Sequence, residues 1–133
     1  MNDRALAELD RDFGRALERL SEALARAPDD PIVVDASIQR FEFTFELFWK
    51  LARRVLAGHG VDAPSPRATL RHAYRLGWLE DEARWLGMLE DRNLTSHTYR
   101  EALAREIFER LPGHAAALRA ARESLAGRGA AGE

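Results

Sequence analysis

Ile38-Gln39-Arg40-Phe41-Glu42-Phe43-Thr44-Phe45-Glu46-Leu47-Phe48-Trp49-Lys50 is the stretch whose reading decides the fold. Around it Val34, Ile38, Phe41, Phe45, Phe48, Ala52 and Val55 recur three or four residues apart. That is the spacing of one helix face, not the alternation of a strand. It predicts a helix over about 32–57. Phe43, Leu47 and Leu51 form a second apolar line on a different side, so this helix must touch more than one neighbour. It lies centrally in a bundle or meets another subunit, and the crowding of aromatic rings favours a homodimer. A narrow polar strip of Gln39, Glu42, Glu46, Lys50 and Arg53 remains, on which Glu46 and Lys50 can pair at i,i+4.

Upstream, Leu6, Leu9, Phe13, Ala16, Leu20, Ala23 and Ala27 predict a first helix over about 3–27, ended by Pro28-Asp29-Asp30-Pro31. Downstream, the Gly and Pro content of 58–66 marks a loop, with Ser65 as N-cap and Pro66 as first helical residue. A short helix should run to about Leu76 and stop at Gly77. Another covers about 80–90, with Ala83, Leu86 and Leu89, or Trp85 and Met88, facing inward. Thr98 and Glu101 are spaced as a capping box for a helix carrying Leu103, Ile107 and Leu111. Pro112-Gly113 should kink or break that helix before a last segment with Leu118, Ala121 and Leu125. The sum is an all-α, up-and-down four-helix-type bundle with an extra short helix. It is expected as one domain over 1–126 with a flexible tail over 127–133.

A chain of 133 residues, 46% hydrophobic and 32% charged, fits one soluble globular domain. Without cysteine, neither disulfides nor thiolate metal sites nor a cysteine nucleophile are available. No leader or spanning segment is visible, so a cytoplasmic protein is expected. A net charge of −2 argues against a generally basic nucleic-acid coat, and any RNA contact must use a local patch.

The chemistry concentrates in Arg92-Asn93-Leu94-Thr95-Ser96-His97-Thr98-Tyr99. A guanidinium binds phosphate bidentately, and an imidazole moves protons near neutral pH. On one unbroken helix Arg92 and His97 would lie about 140° apart, so the helix must end within 93–98 for them to converge. Asn93 and Ser96 are supporting polar candidates. One His and one Arg are sparse equipment for cleaving RNA, which needs a base for the 2′-hydroxyl and an acid for the leaving oxygen. A two-fold dimer would supply two of each around a shared cleft, with no metal required. The blander reading leaves both side chains merely satisfying helix ends.

Arg67, Arg71 and Arg75 are four apart, with no acid between Asp62 and Glu80, and form a candidate RNA or partner contact. A solvated helix face is the plainer alternative. His59, His72 and His114 show no metal-ligand spacing, and no cofactor is implied. Trp78, Trp85 and Tyr74 are read as core.

Three stretches together resemble a known family. Ile38 to Leu47 with Trp49-Lys50 resembles the spine helix of nucleotidyltransferase substrate-binding proteins, a branch of the HEPN superfamily. Ser65-Pro66-Arg67 is similar to that family's third-helix start. Asp91 to Tyr99 matches the HEPN pattern of Arg, four residues, His, one residue, Tyr. The likeness covers nearly the whole chain except the tail, and Pro112-Gly113 departs from it.

The resemblance implies a homodimeric helical bundle working with a minimal nucleotidyltransferase encoded nearby. It implies a toxin–antitoxin pair in which the HEPN subunit is a metal-independent endoribonuclease, with Arg92 and His97 as catalytic residues. It also implies that the partner silences the toxin by transferring AMP to Tyr99. The competing expectation is a non-catalytic subunit that binds nucleotide or scaffolds the nucleotidyltransferase. The near-neutral charge favours that view, and the Arg/His/Tyr set favours the nuclease.

Overall fold

The computed structural model describes residues 3–129, and among these every regular element is helical. They are α1 (Asp3–Leu24), α2 (Pro31–Gly58), α3 (Pro66–Arg75), α4 (Glu82–Leu94), a 3₁₀ turn (Thr95–His97) and α5 (Glu101–Ala126). α2 is central, packing against α1, α3, α4 and α5. Phe41, Phe45 and Phe48 are fully buried along it, as the three-four spacing requires. Phe48 is the junction, its ring 5.7 Å from that of Phe13 and 4.7 Å from that of Trp85. Burying each such ring contributes about 2 kcal/mol. The second apolar line is partly covered within the chain: Leu51 is buried, and the Arg19 guanidinium lies 5.4 Å over the half-buried Phe43 ring. None of the described helices is long and apolar enough to cross a membrane.

Local signals set most helix ends. Asp30 caps α2, accepting from the Ile32 N–H at 2.9 Å, with Pro31 in the first turn. Ser65 caps α3 ahead of Pro66, accepting from the Ala68 N–H. α3 ends where Gly77 takes φ +79°, which lets the Trp78 N–H reach back to the Ala73 carbonyl.

Several boundaries differ from expectation. α1 stops at Leu24 rather than near Ala27: the Ala25 and Arg26 N–H groups tighten onto the Glu22 and Ala23 carbonyls, and Ala27, preceding Pro28, is itself kept out of the helical region. Arg105 then ties the connection down by donating to the Pro28 and Asp29 carbonyls at 2.7 and 3.3 Å. Thr98 does not cap α5; its hydroxyl donates to the Thr95 carbonyl at 3.0 Å, and Arg100 occupies the N-cap position without a side-chain bond.

α5 continues through Pro112 as one helix. Leu111, His114, Ala115 and Leu118 are buried on either side of the proline, and their packing outweighs the roughly 3 kcal/mol that an interior proline costs. Ala83 is exposed while Trp85, Met88 and Leu89 are buried, so the second inward set is the one used, joined by Leu89. Trp78 and Trp85 are core, but Tyr74 is 39% exposed, since α3 turns Thr69, Leu70 and Ala73 inward instead. Of the tail expected over 127–133, residues 130–133 lie outside the described residues. Arg128 before them folds back, donating to the Ser124 carbonyl at 2.9 Å with its guanidinium 5.4 Å over Trp78.

Candidate active site at the turn between α4 and α5

Two adjacent residues fix the last turn of α4 to opposite neighbours. Asp91 points toward α5 and is 3% exposed. Its carboxylate accepts two bonds from Arg110, at 2.8 and 2.7 Å, and one from His114 Nε2 at 2.7 Å. Burial pushes the Asp91 carboxyl up, but the bonds from His114 and Arg110 and the charge of Arg110 outweigh it and hold it below the ordinary carboxylate value. The same bond from Asp91 holds the Arg110 guanidinium above its ordinary value. His114 Nδ1 faces Arg84 Nη1 at 3.2 Å. Because a guanidinium only donates, Nδ1 accepts and Nε2 carries the proton given to Asp91. The imidazole also stacks on Phe41, with centroids 5.4 Å apart.

About 100° around the helix, Arg92 points toward α2 and pairs with Glu46. The Glu46 carboxylate also accepts from Trp49 Nε1 at 3.1 Å. Glu46 therefore pairs with Arg92 from across the bundle and not with Lys50 on its own helix, since the ion pair to α4 claims the carboxylate. Arg92 Nη1 donates to the Asn93 side-chain oxygen at 3.3 Å. The Thr95 hydroxyl lies between the Glu42 carboxylate at 2.5 Å and the Arg92 carbonyl at 2.8 Å, with one proton to share.

The α-helix ends at Leu94, inside the window that convergence of Arg92 and His97 requires. Thr95 and Thr98 bond back to their own backbone, competing with the helical ladder, and the chain tightens into the 3₁₀ turn. His97 is exposed on that turn, its ring 6.2 Å from Tyr99 in an edge-on arrangement. Tyr99 is 75% exposed, with the Arg100 guanidinium 5.8 Å over its ring. Beside it opens a groove of about 480 Å³ lined by Pro31, Val34, Asp35, Tyr99, Ala102 and Arg105 among others.

Of the residues singled out in the sequence, the fold joins Arg92 to Asn93 and His97 to Tyr99. No hydrogen bond or ion pair links Arg92 to His97 among the described residues, and Ser96 is exposed without a side-chain hydrogen bond. Arg67, Arg71 and Arg75 lie apart on α3, all exposed. Sequence reasoning missed Glu42 and Glu46 as neighbours of the turn, and Asp91, Arg110 and His114 as its anchor. Spacing held a signal: Glu42 and Glu46 are four apart on the polar strip of α2, as are Arg110 and His114 on α5.

This architecture is shared with known proteins. The family described as "Nucleotidyltransferase substrate binding protein like" matches residues 10–126. A crystal structure from Thermus thermophilus superposes with a TM-score of 0.77 at 41% identity, covering 89% of this chain and 98% of that one. A Haemophilus influenzae structure, described as revealing the fold of a substrate binding domain of a nucleotidyltransferase, has a TM-score of 0.69 at 24% identity. It covers 94% of this chain and 99% of that chain. The "Probable ribonuclease HepT" of Haemophilus influenzae is 31% identical over 84 residues, which are 59% of this chain and 58% of the relative's length. The chain belongs to the nucleotidyltransferase substrate-binding-protein-like family, and its all-α bundle is that family's fold.

Proposed function

We propose that the chain is the HEPN toxin subunit of a two-component nucleotidyltransferase module and cleaves RNA without a metal. One observation carries this reading: Arg92 on the last turn of α4 and His97 and Tyr99 just beyond it fall within eight residues at one helix junction, with His97 and Tyr99 open to solvent and Arg92 held by Glu46. The RNA 2′-hydroxyl attacks the adjacent phosphorus and gives up its proton to an imidazole. The 5′-oxygen leaves with a proton from a second one, producing a 2′,3′-cyclic phosphate and a 5′-hydroxyl end. Arg92 stabilises the charge gathering on the phosphorane. Each chain has a single His97, so a homodimer provides both base and acid. The match to a probable ribonuclease supports this reading over the matched segment.

The nucleotidyltransferase partner is inferred from the family, and Tyr99 is its acceptor in this reading. The phenol oxygen attacks the α-phosphorus of ATP, releases pyrophosphate and loses its proton. The AMP so placed lies next to His97 and blocks the cleft.

A second reading is favoured by the Arg92–Glu46 pair, which already neutralises the guanidinium. Under it the chain is a non-catalytic subunit that binds nucleotide or scaffolds the nucleotidyltransferase. The two separate when purified protein is incubated with single-stranded RNA in EDTA, then with the nucleotidyltransferase and ATP. The nuclease reading expects cleavage, followed by one AMP on Tyr99 and loss of cleavage. A stable complex with no cleavage at any concentration would establish the scaffold instead.

A further inference from the structure

The outer face of α3 plays no part in the turn, yet it is organised. Arg67, Arg71 and Arg75 are exposed and none bonds to a carboxylate or any other group among the described residues. Tyr74 is 39% exposed. By helix geometry Tyr74 falls about 20° to one side of Arg67, with Arg71 and Arg75 about 40° and 80° to the other. The four therefore share a sector of about 100°, and the arginines run about 12 Å along the axis. The opposite side, Thr69, Leu70 and Ala73, is buried, which fixes this sector outward. No acid occurs between Asp62 and Glu80, so the charge is not balanced within the segment.

The geometry points to this face as a binding track for single-stranded RNA, separate from the α4–α5 junction that carries Arg92 and His97. Three guanidinium forks suit successive phosphates, and an exposed phenol ring flanking them offers a platform for a base. A protein partner fits less well. The exposed large apolar side chains of this face and its end are Tyr74 and Leu76, too few for the apolar centre of a protein interface. In a chain of net charge −2, a concentrated cationic face is the place where a polyanion can bind. The inference rests on the nuclease reading only for the choice of RNA as the polyanion.

The test is fluorescence anisotropy of a labelled single-stranded oligoribonucleotide titrated with His97→Ala protein across a salt series. The comparison is the same protein carrying Arg67→Gln, Arg71→Gln and Arg75→Gln together. Loss of at least tenfold in affinity is expected, with the slope of log affinity against log salt shallower by about two, at roughly 0.7 for each phosphate no longer neutralised. Tyr74→Ala should weaken binding while leaving the slope unchanged. All four positions are on the exposed sector, and an unaltered melting curve verifies folding. Undetectable RNA binding by the parent protein, or an unchanged slope in the triple variant, would overturn the proposal. So would a triple variant that binds RNA normally but no longer joins the nucleotidyltransferase, since the face then docks protein. RNA binding through α3 by a protein that never cleaves would sink the nuclease reading and leave the track intact.

Discussion

Arg92 and Glu46, 46 residues apart in the chain, form an ion pair that ties the last turn of α4 to the central helix. Both side chains are about 30% exposed, so the pair contributes at most about 1 kcal/mol to stability. In the proposed nuclease its larger effect is positional, because it fixes the Arg92 guanidinium beside the helix junction that bears His97. Glu46→Ala should leave the melting temperature nearly unchanged and lower the RNA cleavage rate about tenfold. Glu46→Gln, which keeps the shape and a hydrogen bond, should lose less. Parallel melting curves and single-turnover rates check both, and an unchanged rate in Glu46→Ala would remove the positioning role.

The buried Asp91 carboxylate behaves differently. Its folded-state pKa is depressed, so its contribution is present above the unfolded value near 3.9 and is lost as pH falls through the lower folded value. Asp91→Asn strips the charge from a site shared with Arg110 and His114 and should cost about 3 kcal/mol at neutral pH. The gap from the native protein should narrow as pH drops below about 4. Urea midpoints from pH 7 to pH 3 for the two proteins provide the comparison. A gap that stays constant across that range would show that Asp91 is not held ionised by its partners.

Pro112 is an interior helix proline that the surrounding packing tolerates, and it is exposed. Pro112→Ala should restore the N–H that can bond the Phe108 carbonyl and raise stability by about 2 kcal/mol, the roughly 3 kcal/mol interior cost less about 1 kcal/mol that proline gains by restricting the unfolded chain, read as a higher urea midpoint. Destabilisation instead would mean that the proline sets a bend on which the Asp91–His114 bond depends.

The helices were legible because their signals are local: the Phe41, Phe45 and Phe48 spacing, the Ser65-Pro66 start and the Gly77 stop each act within a turn or two of chain. Pro112 does not break α5: a proline's local penalty is visible in sequence, whereas the burial of Leu111 and Leu118 that offsets it is tertiary. For a related reason Thr98 does not cap α5. Its hydroxyl had two nearby backbone partners to choose between, and the 3₁₀ turn presents the Thr95 carbonyl first. At the candidate site, Arg92, His97 and Tyr99 stood out through their density in one short stretch. Glu46, Arg110 and His114 could not stand out in this way. Each reaches the turn from another helix, and spacing along one chain segment carries no information on which helix faces which.

The measurement that most directly tests the central claim is the RNA cleavage rate of Arg92→Ala and His97→Ala beside the native protein, in EDTA and at equal concentration. Both variants should keep the native helical signal and association state and lose at least about 100-fold in rate, the scale of removing a charge-stabilising or proton-transferring group. Native-like cleavage by both would place the chemistry elsewhere on the chain and contradict the nuclease site at this turn.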